Sequence, residues 1–355
     1  MNVFSIIMAG GGGTRFWPLS RQCKPKQLLN LGGSDAMINE TIKRNAAVIS
    51  YNNTFIVTNQ SQSEILKEIL LEGVPRENVL SEPVARNTTA CIAYAASKIH
   101  KRYGDSIISI FPSDAYINKE EEYLNVLGRA VKFAEQNDSF ITLGIRPAFA
   151  ATGYGYIKYS PHDRHEGICF VEEFIEKPNS EKAKLYLNSG NYLWNSGILV
   201  CRTGVMLDNI RRFLPKLYKQ IETLSEYYDT VQETEMLKTI YPLLQSVSVD
   251  YGILERSDDV MVIPGDFGWN DVGSWDMLGV VFPPDENGNI VKAEHVGIDT
   301  KNTIVYGNSL IATVGVEDMI IIKTDDALLI CPKSRAQEVK DIVELLKDSG
   351  KLQYV

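Results

Sequence analysis

VFSIIMAGGGGTRFWPLSR, residues 3–21, is the most informative stretch of this 355-residue chain. Its apolar run VFSIIM ends abruptly in four glycines at residues 10–13, which is typical of a buried strand that runs into a loop. Strand-like runs follow at residues 54–58 and 106–111, and the segments between them have the apolar spacing of helices. This alternation predicts an α/β fold with a Rossmann-like, mainly parallel mixed sheet and helices on both faces.

The character of the chain changes at PPDENGN, residues 283–289, a polar stretch rich in turn-forming residues. Short β-like runs separated by Gly, Asn and Asp come after it, and an amphipathic helix near residues 334–347 closes the chain. We therefore predict a large α/β domain over residues 1–285. A small, β-helix-like C-terminal β domain with a terminal helix is predicted over residues 286–355.

The composition excludes several classes of protein. With 36 Lys+Arg against 45 Asp+Glu, the net charge of −9 argues against a broad nucleic-acid or anionic-membrane surface, but it leaves room for a small basic pocket. The N-terminus has no basic segment of a signal peptide, and no apolar run reaches the roughly 18 residues of a membrane span. We expect a cytoplasmic protein. The five scattered cysteines predict reduced thiols.

The glycine loop has the chemistry of a phosphate-binding site. Without Cβ atoms, backbone N–H groups can approach phosphate oxygens closely, and Arg15 adds a forked cation. Lys24 and Lys26 follow on either side of Pro25. The glycine spacing matches neither the Walker A motif nor the dinucleotide fingerprint. A tight strand–helix turn followed by a solvated basic patch is the alternative interpretation of these residues alone.

Taken together, AGGGGTRFWPLSR and the following KPKQ resemble the nucleotide-binding signature of the sugar nucleotidyltransferases. The resemblance extends along most of the chain through segments that keep the family's order: EPVARNTTA, FPSDAYI, GYGYIKY, FIEKP, WNSGILV, SVDYGILE and GWNDVGSW. Within the family it is strongest to enzymes that transfer GMP from GTP to α-D-mannose 1-phosphate, giving GDP-mannose and pyrophosphate. It implies that residues 1–285 form the catalytic domain.

The resemblance also assigns roles to individual residues. It implies that three cations are catalytic, namely Arg15, Lys26 and Lys177. It places the nucleotide on Ala9, Gly10, Gly11, Gly12, Gly13, Thr14, Glu82, Arg86, Asn87, Pro112 and Ser113. It places the sugar phosphate on Gly153, Gly155, Glu176, Lys177 and Asn195. It gives Asp114 and Asp271 a joint role in holding Mg²⁺, the expected cofactor.

Ordinary structural roles remain as alternatives for several of these residues. Asp114 and Asp271 both lie in sequences with good turn chemistry. Asn87 or Thr88 fits the N-cap of a helix, a role that either residue could have whatever else it does. The FIEKP segment could simply present a surface Glu–Lys pair before a turn.

The implied reaction is a direct attack of the sugar phosphate on the α-phosphorus of GTP. Because the attacking group is already an anion, the problem is one of charge and alignment, and no general base is needed. GTP and mannose 1-phosphate are the expected partners, and the short β tail is a reasonable surface for a homodimer. The alternatives are transfer to another sugar phosphate or from another nucleotide, or a non-catalytic sensor or scaffold.

Overall fold

The computed structural model describes residues 1–165 and 167–355, without the side chains of residues 161–165. The helices are α1 (Met37–Asn45), α2 (Gln60–Ile69), α3 (Asn87–Tyr103), α4 (Glu120–Gln136), α5 (Ser180–Ser189), α6 (Thr203–Phe213), α7 (Pro215–Ser225), α8 (Glu233–Ile240), α9 (Val249–Gly252) and α10 (Val339–Asp348).

The strands of the large domain are β1 (Val3–Met8), β2 (Thr54–Asn59), β3 (Val79–Glu82), β4 (Ile107–Pro112), β5 (Tyr116–Ile117), β6 (Phe140–Ile145), β7 (Tyr156–His165), β8 (Ile168–Ile175), β9 (Tyr192–Arg202), β10 (Val260–Gly265) and β11 (Trp269–Asn270). Those of the C-terminal region are β12 (Ile290–Lys292), β13 (His295–Ile298), β14 (Ile304–Gly307), β15 (Ile311–Val314), β16 (Met319–Lys323) and β17 (Leu328–Pro332).

Nine strands form the central sheet, in the order β3-β2-β1-β4-β9-β6-β10-β8-β7. β3, β2, β1 and β4 pair in parallel, as do β6 and β10. β9 lies between these two groups and is antiparallel to both. β7 and β8 form an antiparallel pair at the edge. The predicted mainly parallel mixed sheet is confirmed.

Both faces of the sheet are covered by helices, because alternate residues of the buried strands point to opposite sides. Phe4 and Ile6 of β1 join a core formed with α3, α6 and α7. Ile7 joins a second core on the other face, formed with α1, α2 and α4. The predicted arrangement of helices is therefore confirmed. Among the described residues, no helix has the length and apolar character needed to cross a bilayer.

The C-terminal region stacks short strands in parallel, in the manner of a β-helix. β12, β14 and β16 pair in parallel with β17 added antiparallel, and β13 pairs in parallel with β15. A third core joins this region to Phe16 and Trp17, which directly follow the glycine loop. The indole of Trp17 donates a hydrogen bond to the Tyr354 carbonyl at 2.7 Å. The end of the chain thus packs against the segment that carries the glycine loop.

Candidate active site

The carboxyl ends of parallel strands bring the predicted nucleotide-binding segments to one edge of the sheet. Met8 at the end of β1 is in register with Pro112 at the end of β4. Glu82 ends β3, next to Asn59 at the end of β2. Ser113 follows β4, and its N–H donates to the Met8 carbonyl at 3.2 Å. This is the edge at which open α/β sheets bind their ligands.

Two features fix the conformation of the glycine loop: the close approach of Gly13 to Lys26, and hydrogen bonds from the Gln27 side chain. Gly13 has a φ of 58°, and a Cβ there would lie 2.5 Å from the Lys26 Cβ, so only glycine fits. Buried Gln27 donates from Nε2 to the carbonyls of Ala9 at 2.7 Å and Gly11 at 3.0 Å. These carbonyls are therefore turned inward. Gly11 has open space around it, as a ligand-facing backbone needs.

Lys26 joins the two segments that carry the predicted metal ligands. Its ammonium donates to the Asp114 carboxylate at 2.8 Å, to the Asp114 carbonyl at 3.0 Å and to the Asp271 carbonyl at 2.6 Å. All three N–H donors of the lysine are thus used. Lys26 is 4% exposed, so its charge lies inside the protein beside Asp114 and Asp271. The structure brings these three predicted residues together although 245 positions separate Lys26 and Asp271.

Asp271 lies beside the other predicted phosphate-site charges. Burial raises the pKa of its carboxyl, and the nearby Asp114 raises it further, whereas the Tyr154 hydrogen bond, Lys26 and Arg15 lower it. The Tyr154 hydroxyl donates to the Asp271 carboxylate at 2.8 Å. Among the described residues, no group of three or more His, Cys, Asp or Glu is placed to hold a metal. The two aspartates supply hard oxygen ligands close enough to repel each other.

Arg15 is exposed, in the 3₁₀ turn Thr14–Phe16 that follows the glycines. Its positive charge helps to lower the pKa of the Asp271 carboxyl. Phe16, the next residue, is fully buried against Trp275 at a ring-centroid distance of 5.0 Å. The turn therefore buries the Phe16 side chain in the third core and leaves the Arg15 guanidinium in solvent, where it is accessible to a ligand.

Glu82 is a buried acid beside the glycine loop. Its carboxylate accepts a hydrogen bond from the Tyr241 hydroxyl, and a Cβ added to Gly10 would lie 3.2 Å from its second oxygen. Burial raises the pKa of Glu82 to about 7, although the Tyr241 hydrogen bond lowers it. A buried carboxyl with a shifted pKa at a ligand-binding edge is a candidate functional group.

The predicted N-cap role of Asn87 or Thr88 is wrong. Helix α3 begins at Asn87 itself, in which φ is +63°, and no side chain caps it. The Asn87 side chain accepts from the neighbouring Thr88 N–H at 2.8 Å. Thr88 instead accepts at Oγ1 from the Val249 N–H at 2.8 Å. The guanidinium of Arg86 donates to the Pro242 carbonyl.

Four of the five predicted sugar-phosphate-binding residues line a cleft of about 250 Å³ together with Asp271. Gly153, Gly155, Glu176 and Asn195 all contribute to its wall. A Cβ on Gly155 would lie 2.7 Å from a Glu176 carboxylate oxygen, so the backbone passes directly under that acid. Pro112, a predicted nucleotide contact, lines the same cleft. One cleft therefore brings together residues predicted to bind the sugar and a residue predicted to contact the nucleotide.

Asn195 is fixed by a network that includes Asp250. Its side chain donates to Asp250 at 3.0 Å and accepts from the Thr142 hydroxyl at 3.2 Å and the Gly197 N–H at 3.1 Å. Burial raises the pKa of the Asp250 carboxyl, and Glu176 raises it further. The cleft is thus lined by carboxylates and an amide, which are suited to the hydroxyl groups of a sugar.

Lys177, unlike the buried Lys26, lies largely in solvent. Its side chain is 62% exposed, and its ammonium pairs with the adjacent Glu176 carboxylate. The pairing depends on the backbone, because φ of Lys177 is +44° and a regular strand would send the two side chains to opposite faces. The chain bends before Pro178, and this brings the Lys177 ammonium to Glu176, which lines the cleft.

Sequence reasoning missed Gln27, Tyr154, Tyr241 and Asp250 as site residues. Gln27 and Asp250 fall within motifs that carry the family resemblance, and Tyr154 lies between two predicted sugar-binding glycines. A search for polar side chains next to predicted contacts would have included these three. Nothing near Tyr241 in the sequence signals its contact with Glu82, which is 159 positions away.

The site combines a glycine loop, paired aspartates and a polar cleft at the carboxyl edge of a parallel sheet. This combination is typical of a nucleotide-binding protein with an adjoining cleft that suits a polar small molecule. The profile of the nucleotidyl transferase family matches residues 4–287, and that of the MannoseP isomerase/GMP-like beta-helix domain matches residues 293–346. The chain belongs to the nucleotidyl transferase family.

Similar proteins agree with this assignment along the whole chain. "Mannose-1-phosphate guanylyltransferase 2" of Escherichia coli O157:H7 is 36% identical over 364 residues, covering 99% of this chain and 75% of that protein. "Xanthan biosynthesis protein XanB" of Xanthomonas campestris pv. campestris (strain B100) is 37% identical over 351 residues, covering 99% and 74%. A crystal structure from Thermus thermophilus, described as a mannose-1-phosphate geranyltransferase, has a TM-score of 0.88 at 31% identity and covers 98% of this chain and 100% of that one.

Proposed function

We propose that this protein transfers GMP from GTP to α-D-mannose 1-phosphate, releasing pyrophosphate and forming GDP-mannose. The observation that carries the proposal is the meeting of Lys26, Asp114 and Asp271 between the glycine loop and the sugar cleft. The similarity to a protein named mannose-1-phosphate guanylyltransferase supports the choice of substrates. In the reaction a phosphate oxygen of the sugar phosphate bonds to the α-phosphorus as the bond to the β-phosphate breaks.

At the nucleotide end, the amides of residues 10–14 and the Arg15 guanidinium hold the leaving pyrophosphate, while the Ala9 amide donates to the Val57 carbonyl at 2.8 Å. Preorganised donors of this kind stabilise the charge that develops on a leaving group. Glu82, Arg86 and Asn87 contact the base and ribose, and Pro112 and Ser113 border the nucleotide. Lys26 offsets the charge on the α-phosphate. Since all its donors are engaged, a phosphate oxygen replaces one of its present acceptors.

At the sugar end, Glu176 and Asn195 bind hydroxyl groups and Lys177 holds the attacking phosphate. Gly153 and Gly155 let the backbone lie against the sugar ring. The support is geometric: Glu176, Asn195 and the two glycines line one cleft together with Asp271, and the Lys177 ammonium contacts the Glu176 carboxylate. The attacking phosphate is an anion at neutral pH, so alignment and charge neutralisation suffice without a general base.

We further propose that Asp114 and Asp271 hold Mg²⁺. Their fit rests on chemistry, because two neighbouring carboxylates supply the hard oxygen ligands that Mg²⁺ prefers. When bound, the ion would stabilise the phosphate charges and orient the phosphates. The chain's own contribution is to fix both carboxylates, Asp271 through the Tyr154 hydroxyl and Asp114 through Lys26.

We propose residues 1–285 as the catalytic domain and residues 286–355 as a β domain through which two copies associate. Exposed apolar side chains on three strands of this domain, β13, β15 and β17, support a homodimer: Val296, Ile298, Val314, Leu328 and Ile330. Both proposed substrates are multiply charged phosphates that do not enter a bilayer, so we place the enzyme in the cytoplasm. Neither a nucleic acid nor a membrane is a proposed partner.

The test measures pyrophosphate release from a panel of nucleoside triphosphates and sugar 1-phosphates. We expect the highest kcat/KM with GTP and mannose 1-phosphate, and dependence on added Mg²⁺. Asp271→Asn should lower kcat by about 10²–10³-fold because it removes charge from the phosphate site. The matched control is Asp258→Asn, in which the changed side chain is 84% exposed.

The alternatives give different results in the same assay. A preference for another sugar phosphate or nucleotide would keep the class of reaction and change the substrate. Binding of GTP or GDP-mannose without pyrophosphate release would indicate a sensor or scaffold. Turnover by Asp271→Asn equal to that of the wild type would overturn the role of the two aspartates.

A further inference from the structure

One downstream segment contacts two of the three residues that are proposed to face the nucleotide base and ribose. The Tyr241 hydroxyl donates to the Glu82 carboxylate, and the Pro242 carbonyl accepts from the Arg86 guanidinium. The Nε atom of Arg86 is buried and has no hydrogen-bond partner among the residues that the structure describes. Tyr241 itself is fully buried. The loop that connects β3 to α3 therefore rests on residues that lie far away in the sequence.

Two further contacts tie the start of α3 to the same downstream region. The Val249 N–H donates to the Thr88 hydroxyl at 2.8 Å, and the Thr89 N–H donates to the Val247 carbonyl at 3.2 Å. These contacts fix the backbone beyond the β3–α3 loop. The Glu82 side chain itself is contacted by the Tyr241 hydroxyl, which donates a hydrogen bond to its carboxylate.

The two oxygens of Glu82 have different surroundings. One accepts from Tyr241, and the other points toward Gly10 at the start of the glycine loop. Cys91 of α3 also faces this carboxyl, and Tyr94 of α3 lies next to Tyr241. These thiol and phenol groups are neutral at physiological pH. The carboxylate is thus oriented by one hydroxyl donor, with one oxygen directed at the ligand edge.

We propose that Tyr241 is a positioning residue that sets the purine selectivity of the site by fixing the Glu82 carboxylate. The inference rests on the proposed function. Guanine presents N–H donors from N1 and N2 along one edge, which a fixed carboxylate accepts. Adenine presents an unprotonated ring nitrogen at the corresponding position, and a carboxylate facing it is left without a donor. A site built around such a hydrogen bond discriminates strongly against an analogue that lacks the donor.

The variant that tests this is Tyr241→Phe, which removes the hydroxyl and keeps the ring. The ring packs edge-on against Tyr94 at 5.9 Å, so the variant retains its core contacts. Loss of one hydrogen bond to a charged group should raise KM for GTP about tenfold and leave kcat within about threefold. The ratio of kcat/KM for GTP over ATP should fall by a similar factor. Calorimetric titration with GTP and with ATP gives the same ratio without turnover.

Tyr228→Phe is the matched control. Its hydroxyl bonds Ser97 at 2.7 Å in the same helical layer, and the residue is 3% exposed. This variant should retain the wild-type ratio of GTP to ATP. A second readout is pH: because the Tyr241 hydrogen bond favours the charged carboxylate, its loss should move the acidic rise in KM for GTP to higher pH.

A double variant keeps the test decisive if Tyr241→Phe is poorly stable. In a Glu82→Gln background, the added Tyr241→Phe change should alter the GTP to ATP ratio less than about twofold, because its target is gone. An unchanged ratio in Tyr241→Phe alone, or equal effects of Tyr241→Phe with and without Glu82, would overturn the inference. A wild-type protein that neither binds nor uses GTP would instead overturn the proposed function.

Discussion

The two ends of the site are built in different ways. At the nucleotide end Lys26, Gln27 and Glu82 are 4%, 2% and 5% exposed, and each is fixed by hydrogen bonds from distant segments. At the sugar end Lys177 is 62% exposed and pairs with its own neighbour in the sequence, and a Cβ on Gly153 would meet nothing within 4 Å. The buried side chains of the nucleotide end are in place before ligand arrives, whereas the lysine of the sugar end stands in solvent.

This difference follows from what each end packs against. The turn after the glycine loop is enclosed by the third core, which includes Trp17, Trp275 and the strands of the C-terminal domain. The Trp275 indole donates to the Trp17 carbonyl at 3.0 Å, and Arg21 pairs with Asp326 at 2.8 Å. Lys177 lies outside such a core. Preorganisation lowers the entropic cost of binding, so we expect the nucleotide end to dominate affinity.

Among the substitutions considered, we expect the largest loss of activity from a change at Lys26. Lys26→Ala removes the ammonium between the two aspartate segments and leaves the Asp114 carboxylate and two carbonyls without this donor. We expect kcat to fall by about 10³-fold, the scale seen when a preorganised electrostatic donor is lost. Steady-state kinetics of pyrophosphate release measures it. Lys119→Ala, a change at a lysine that is 53% exposed, is the control and should retain wild-type kcat.

The outcome at Lys26 distinguishes a preassembled site from one that ligand assembles. A loss confined to KM for mannose 1-phosphate would contradict our description of Lys26 as part of the nucleotide end. A Lys26→Ala protein with wild-type kcat would show that the link between Asp114 and Asp271 has no catalytic role.

The second prediction concerns the free energy of unfolding, which depends on the protonation of the Glu82 carboxyl. Its pKa is raised from 4.5 to about 7, so folding is favoured while the group is protonated. This contribution is fully present below pH 4.5 and is lost as pH rises through about 7. Glu82→Gln should remove this dependence. Relative to the wild type, its free energy of unfolding should increase by about 3 kcal/mol between pH 4.5 and pH 8.

Chemical denaturation of both proteins across this pH range measures the difference. Other titrating groups contribute to both curves and cancel in the comparison. A constant difference over the whole range would mean that the Glu82 carboxyl is not desolvated, which would contradict the buried character of the nucleotide end.

Most of the fold was predictable because it depends on local patterns. The apolar run before the glycines, the alternation of strands and helices and the turn-rich stretch before the last domain are all visible in the sequence. Lys26, Asp114 and Asp271 could be proposed together only through the family resemblance, since their contact spans 245 positions. Periodicity carries no information about such contacts, so Tyr241 was missed.

The N-cap prediction failed for a related physical reason. Asn and Thr are good caps, but the side chain of Thr88 is used to anchor the Val249 N–H, and α3 begins at Asn87 without a side-chain cap. A tertiary hydrogen bond replaced the local one. Such tertiary hydrogen bonds are expected at the edge of the sheet that binds ligand, because segments distant in the sequence meet there.

The smallest expected effect is at Lys177, and it tests the open end directly. Lys177→Ala should raise KM for mannose 1-phosphate about tenfold, since one charged contact to phosphate is lost, and leave KM for GTP unchanged. The exposed pair with Glu176 contributes little to folding, so the free energy of unfolding should stay within about 0.5 kcal/mol of the wild type. Lys184→Ala, at an exposed position on α5, is the matched control. If Lys177→Ala weakened GTP binding as much as sugar-phosphate binding, Lys177 would not belong to the sugar end alone. The proposed difference between a preassembled nucleotide end and an open sugar end would then be wrong.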